Sequence, residues 1–237
     1  MHNIDFHSHI LPRTDHGCKC SAQCKEQLAM LCDVGTEIVV ATPHFYPHVH
    51  NVDEFLNNVE KSISRLYEVG IEKAPRICVG AEVLICENIE KLDGLDKLCI
   101  RGTKILLLEL PSEGLSPTHL KTVETIMENG YTVVLAQIDR YIKEHEDYIK
   151  LLLEMGALAQ INPYAMATFG PKKQILNILS TSESIVAVGS DLHGSSKGAL
   201  DGFIKLKKRL GSHYDAINKR AAALLANAQI IDLTKKD

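Results

Sequence analysis

Two histidines one residue apart, in "DFHSHILPRTDHGC" (residues 5–18), are the first side chains whose type and spacing suggest chemistry. In extended backbone, side chains at i and i+2 point to the same face, so His7 and His9 can grip one ion between them. Asp5 shares that parity and could orient one of the two rings from behind. A His-x-His pair alone is a weak signal, because such pairs also occur without any ligand role. Further candidates recur at the ends of apolar runs: His44 in "TPH", Glu82 in "GAEV", Glu109 in "LLLEL", Gln137 in "LAQIDRY", and Asp191 with His193 in "SDLH". Asp191 and His193 repeat the i, i+2 spacing. Glu82 or Glu109 alone could be a hydrogen-bonded or salt-bridged carboxylate. An unpaired buried carboxylate is costly, however, and "LLLEL" offers no local cation. Imidazoles and carboxylates arriving from separate segments are what a multinuclear divalent-metal site requires.

For these residues to meet, the segments carrying them must end in one place. The runs "NIDF", "EIVVAT", "RICVGAE", "KILLLEL", "TVVLAQ", "ALAQIN" and "SIVAVGS" read as strands. Between them lie amphipathic stretches such as "VDEFLNNVEKSISRLYEVG", "SPTHLKTVETIMENG" and "EHEDYIKLLLEMG", each closed by glycine, and these read as helices. Continuously apolar strands alternating with helices imply a parallel sheet covered on both faces. Seven such units without a linker or long repeat favour a single α/β domain over residues 1–237, a closed or nearly closed (β/α) barrel. A doubly wound open sheet is the alternative. In barrels the reactive groups gather at the C-terminal ends of the strands, where every residue named above falls.

Composition excludes several classes. A net charge of −4 gives no electrostatic case for nucleic acid or an anionic membrane. The first residues lack a basic segment followed by a long apolar run, so no signal peptide is expected. No stretch approaches the length of a membrane span. Seven cysteines without framework spacing fit a reducing cytoplasm. None has an arginine six residues later, as a cysteine phosphatase needs, and neither a phosphate-binding P-loop nor a dinucleotide glycine motif is present. Cys18, Cys20 and Cys24 in "CKCSAQC" lack metal-cluster spacing, and Cys20 and Cys24 fall one turn apart on the first helix.

Taken in order and spacing, "IDFHSHILP…DHG", "ATPH", "GAEV", "LLLEL", "QIDRY" and "GSDLHG" resemble the PHP (polymerase and histidinol phosphatase) superfamily. Within it they look most like the manganese-dependent protein-tyrosine phosphatases of bacterial capsule and exopolysaccharide operons. The similarity runs from residue 1 to about residue 225. It implies a distorted seven-stranded (β/α) barrel with up to three ions at its rim. By that resemblance His7, His9, Glu82 and Asp191 hold one ion, and Glu82 bridges to a second held with Glu109 and His44.

The family's third ion takes an aspartate after the first strand, a histidine after the fifth, and the histidine of the final motif. Only His193 matches here. The family's Asp-Asp-Gly reads Asp15-His16-Gly17, and its His-Ile-Glu-Arg-Tyr reads Gln137-Ile138-Asp139-Arg140-Tyr141. The His16 imidazole can still bind Mn, Fe or Zn and is a candidate metal ligand, but it is neutral, and the Gln137 amide oxygen is a poor ligand for these ions. Two ions, Mn²⁺ or alternatively Fe or Zn, are expected, with the third site weak, altered or empty.

Phosphate-ester hydrolysis needs a nucleophile at neutral pH and neutralisation of charge on phosphorus. Two ions about 3.5–4 Å apart supply both, through a bridging hydroxide and direct phosphate contact. Arg140 matches the family arginine that contacts the phosphate, unless a salt bridge to Asp139 or Glu144 occupies it. A phenol leaving group, with a pKa of about 10, tolerates a modest general acid such as His193 or His16. Lys197 is a lesser phosphate candidate, and His48 and His50 form a rim beyond His44. The resemblance implies a phosphotyrosine protein as substrate, a membrane-associated bacterial tyrosine kinase of polysaccharide assembly. A small phosphate monoester such as histidinol phosphate, or a metal-binding regulatory role with weakened catalysis, are the other readings.

Overall fold

The computed structural model describes residues 3–164, 182–194 and 197–235. Its elements run β1 (Ile4–Ser8), α1 (Ser21–Asp33), β2 (Ile38–Ala41), β3 (His44–Phe45), α2 (Val52–Val69), β4 (Arg76–Val79), β5 (Glu82–Leu84), β6 (Ile105–Glu109), α3 (Pro117–Glu128), β7 (Thr132–Leu135), α4 (Ile138–Glu154), β8 (Leu158–Ile161), β9 (Ile185–Val188), α5 (Lys197–Leu210) and α6 (Ser212–Leu224). All strand pairs are parallel, in a three-stranded sheet β1-β2-β4 and a six-stranded sheet β3-β5-β6-β7-β8-β9.

Seven apolar runs become nine strands because two of them break. "EIVVAT" and the residues after it split at Thr42-Pro43, where proline has no N–H to continue a ladder. "RICVGAE" splits at Gly80-Ala81. There the Gly80 N–H returns to the Ala41 carbonyl at 2.9 Å, and a Cβ on Gly80 would stand 3.1 Å from Ile100. Both chains change sheet at the break, which turns His44 and Glu82 onto the first residues of β3 and β5, directly paired. At the far edge, a parallel bridge joins Ser8 to Leu192, and the Asp191 N–H donates to the His7 carbonyl at 2.8 Å.

Several strands, β2, β4, β6 and β7, feed two apolar clusters alternately. Along β6, Leu106 and Leu108 pack into the larger cluster beneath the helices, while Ile105 and Leu107 join Ile4, Phe6, Val40 and Val134 in the smaller one. With both faces apolar, the strands read as unbroken hydrophobic runs. Ala221 and Leu225, in and just beyond α6, complete the smaller cluster, and the buried Asn218 side chain accepts the Ile4 N–H at 2.9 Å.

The helix ends follow their local signals. Asn51 caps α2 through the N–H groups of Asp53 and Glu54. Ser116 and Pro117 open α3 in a capping box completed by His119. α4 comprises two helical stretches meeting at a kink at the non-helical His145; the later one matches the expected "EHEDYIKLLLEMG", and an additional one begins early, at Ile138, with Ile138 and Ile142 buried. The early start places Asp139, Arg140 and Tyr141 in the first turn of α4. None of the described helices is long and apolar enough to cross a membrane.

Candidate metal centre

At the C-terminal ends of the strands, seven of the side chains singled out from sequence converge. The His7 and His9 Nε2 atoms are 3.1 Å apart, as the i, i+2 spacing requires. Oε2 of Glu82 lies 3.0 Å from His7 Nε2, 3.2 Å from His9 Nε2 and 3.0 Å from His44 Nδ1. Asp191 Oδ1 approaches His9 Nε2 at 3.3 Å and His7 Nε2 at 3.7 Å. Glu109 Oε2 stands 3.5 Å from His44 Nδ1. His193 turns Nδ1 toward Asp191, 3.0 Å from its carbonyl and 3.3 Å from its carboxylate. Three donor sets close enough for a cation result: His7, His9 and Glu82; His44, Glu82 and Glu109; and His9, His44 and His193.

The donor atoms fit positive charge. Among the described residues, Glu82 Oε2, Glu109 Oε2, Asp191 Oδ1, His44 Nδ1 and His193 Nε2 are buried without a hydrogen-bond partner. A buried polar atom left unpaired costs about 1–3 kcal/mol, so this cluster calls for positive charge to satisfy it. Burial opposes charge on both Glu82 and Asp191, yet the surrounding imidazoles hold both well below the usual carboxylate range. Burial likewise opposes charge on His7 and His9. For these the facing acids win and raise the affinity for positive charge, most strongly at His9.

The supporting shell fixes which nitrogen faces inward. His7 Nδ1–H donates to Gln160 Oε1 at 3.1 Å and His9 Nδ1–H to Asp15 Oδ2 at 2.6 Å, leaving both Nε2 atoms on Glu82. Asp15 also accepts the His44 N–H at 3.0 Å and the Gly17 N–H at 2.8 Å, and its carboxyl is held far below the ordinary range. Gly17 and Gly189 press directly on the two histidines: a Cβ would fall 2.3 Å from His9 Cβ and 2.4 Å from His7 Cβ respectively.

Asp5 departs from expectation. It touches neither imidazole ring and instead accepts the Ser190 N–H and hydroxyl, both at 2.7 Å, and the His7 main-chain N–H at 3.4 Å. Burial lifts its carboxyl to about 6. It pins β1 to the turn after β9. The residues that orient the rings are Asp15, which opens the "DHG" motif, and Gln160, a polar side chain inside the apolar run "ALAQIN".

Gln137 and Asp191 both adopt left-handed backbone, with φ of 46° and 52°, which for such residues costs about 1–3 kcal/mol. The turn aims the Gln137 N–H at Gln160 Oε1, 2.8 Å away. The Gln137 side-chain oxygen accepts from Asn162 at 3.3 Å, and its NH₂ points to Glu82 Oε1 at 3.5 Å. Gln137 is thus engaged in a network with Gln160, Asn162 and Glu82. His16 is exposed and joins none of the three donor sets, though its ring stacks on His44 at 4.8 Å and stands 4.7 Å from His193. Burial, then the charges of His44 and His193, lower its basicity.

Arg140 is exposed in the first turn of α4, where burial opposes its charge and Tyr141, Asp191 and Glu109 favour it. Asp139, a rival partner for it, accepts the Asn162 N–H at 2.9 Å. Lys197 is the first residue of α5, and its side chain lies outside the described residues. Cys20 is the N-cap of α1, Cys24 lies within the first turns, and Cys18 Sγ donates to the Cys20 carbonyl at 3.3 Å.

The sequence profile for capsular polysaccharide synthesis, CpsB/CapC, matches residues 3–225. A solved structure from the set of YwqE from Bacillus subtilis and CpsB from Streptococcus pneumoniae, metal-dependent tyrosine phosphatases, superposes with a TM-score of 0.77 at 25% identity, covering 97% of this chain and 96% of that one. The lactonase Lmo2620 from Listeria monocytogenes reaches a TM-score of 0.49 at 10% identity over 95% of each chain, too distant to bear on function. No curated protein matches in sequence.

Proposed function

This chain belongs to the CpsB/CapC family of capsular polysaccharide synthesis, and we propose that it is a metal-dependent phosphatase that hydrolyses phosphotyrosine on a protein. The observation that carries the reading is the single Glu82 oxygen shared by three imidazoles, which belongs at once to the His7–His9 and the His44–Glu109 donor sets. A bridging carboxylate between two donor sets is the arrangement of a two-ion centre. His7, His9, Glu82 and Asp191 would hold one ion and Glu82, Glu109 and His44 the other, with Mn²⁺ the first choice. Bound divalent ions supply Lewis acidity toward phosphate and ionise water near neutral pH.

The chain's own groups do the rest. Arg140, exposed in the first turn of α4, binds and orients the phosphate, a role for which a planar guanidinium is suited. His193, with Nδ1 tied to Asp191 and Nε2 bare, holds a proton for the departing phenolate; His16 is the alternative donor at the rim. With Gln137 engaged by Asn162 and Glu82, the third ion position is reduced to His193 and the exposed His16. The fold reading that accompanies this is one domain whose seven runs close into a distorted barrel; the Ser8–Leu192 bridge between first and last runs supports it. The substrate would be a tyrosine kinase of polysaccharide assembly at the cytoplasmic face of the membrane.

Purified protein supplied with Mn²⁺ should hydrolyse an aryl phosphate, and Glu109→Gln or His44→Ala should abolish turnover. Phosphotyrosine peptides should be preferred to histidinol phosphate. Activity at background under every divalent metal would overturn the phosphatase reading and leave a regulatory metal-binding one.

A further inference from the structure

"HFYPHVHN" carries two histidines, His48 and His50, that no donor set uses. The structure gives one of them another task. The Tyr46 carbonyl accepts the N–H groups of Val49 at 2.9 Å and His50 at 2.8 Å, a turn that Pro47 presets through its fixed φ. The Tyr46 N–H in return donates to His50 Nδ1 at 3.0 Å. The His50 ring is itself seated against Phe45, Phe55 and Tyr46, with centroids 5.8, 6.1 and 5.8 Å apart. Both main-chain polar groups of Tyr46 are therefore tied, and its ring packs beside those of His44, His48 and His50.

That ring stacks on His44, the first residue of β3, at 5.1 Å and an interplanar angle of 21°. It is half-buried, so one part packs and another faces outward. Tyr46 thus stands against His44, one of the residues that would hold an ion. Beside it Val49 is 65% exposed, extending an apolar rim.

We propose that Tyr46, held by His50, is the wall against which the aryl ring of a phosphate ester stacks, making it a determinant of preference for aryl over alkyl phosphates. His50 is a positioning residue, acting only through Tyr46. The proposal rests on the phosphatase reading and supplies its substrate selectivity. An aromatic pair contributes roughly a twofold to tenfold effect on binding, and that is the size of the discrimination expected.

The test measures binding of phenylphosphonate and methylphosphonate by calorimetry to the Mn²⁺-loaded protein, alongside kcat/KM for phosphotyrosine and phosphoserine peptides. Metal content is assayed in every variant. Tyr46→Leu, which keeps bulk against His44 but removes the ring, should narrow the phenyl-to-methyl ratio roughly twofold to tenfold. Tyr46→Phe should preserve it. His50→Ala should narrow it too, and His50→Asn, which restores an acceptor for the Tyr46 N–H, should recover it. An unchanged ratio in metal-replete Tyr46→Leu, or equal losses for both phosphonates, would overturn the proposal. Because the phosphonate ratio needs no turnover, a parent protein that hydrolyses nothing would sink the phosphatase reading while the ratio still judged Tyr46.

Discussion

Replacing Asp15 with asparagine removes one charge and almost no volume, and its consequences can be worked out atom by atom. One carboxylate oxygen holds the Gly17 N–H at 2.8 Å; the other holds His9 Nδ1–H at 2.6 Å and the His44 N–H at 3.0 Å. With its carbonyl on His9 and His44 an asparagine opposes its NH₂ to the Gly17 N–H, so one bond is lost; with its carbonyl kept on Gly17 it turns the NH₂ toward His9 and His44. The His44 N–H then loses its acceptor. His9 must accept rather than donate at Nδ1, which moves its proton to Nε2, the atom that faces Glu82 at 3.2 Å. A proton there competes directly with a cation. Loss of such an orienting partner lowers metal affinity by about 10–100-fold, or about 1.4–2.8 kcal/mol. In chelator, the lost charge-assisted bonds should lower stability by about 1.5–3 kcal/mol. Titration of the metal-free protein with Mn²⁺ against a competing chelator reads the first number, and denaturant melts in chelator read the second. A variant whose metal affinity stays within about twofold of the parent would refute the claim that Asp15 sets the His9 tautomer, whatever happens to its stability.

Further expectations follow from the same geometry. Divalent metal at about a hundred times its dissociation constant should stabilise the fold by about 2.7 kcal/mol, raising Tm by roughly 5–11 °C for a chain of this size, and chelation should reverse it; a Tm indifferent to metal would count against the centre. Gly189→Ala drives a Cβ to 2.4 Å from His7 Cβ and 2.9 Å from Gln160 Nε2. It should cost about 1–3 kcal/mol by overpacking and weaken metal binding, read by melts and metal analysis. Arg140→Ala should raise KM for an aryl phosphate and weaken inhibition by inorganic phosphate at least tenfold, about 1.4 kcal/mol, with metal content unchanged. The parent should purify with two ions by elemental analysis, and His16→Asp combined with Gln137→His should admit a third; three ions in the parent would contradict the role given to Gln137.

Much of the site was legible because its chemistry is written in residue type. His7 and His9 must share a face wherever the backbone is extended, and a Glu109 closing an apolar run has few fates other than pairing with something positive. The parallel architecture was legible for a similar reason, since strands covered on both faces cannot alternate. The break at Thr42-Pro43 was signalled by the proline, but its result, a change of sheet that sets His44 opposite Glu82, was not. The stretch of α4 before His145 was not read from the sequence; Ile138 and Ile142 bury one face of it, and the kink separates it from the helix that was expected.

The orienting shell is where sequence and structure part. Asp5, placed by parity behind the histidines, serves Ser190 instead, 185 residues away. Gln160 meets His7 across 153 residues. Which nitrogen of an imidazole faces the centre depends on the partner of the other nitrogen: for His9 that is Asp15, six residues on, and for His7 it is Gln160 on a distant strand. The identity of the donors is local, carried by side-chain chemistry and two-residue periodicity. The tautomer of His7, the oxygen of Glu82 shared among the imidazoles, and the turning of Gln137 into an amide network exist only once the strands converge, because each is a contact between segments that the chain itself holds far apart.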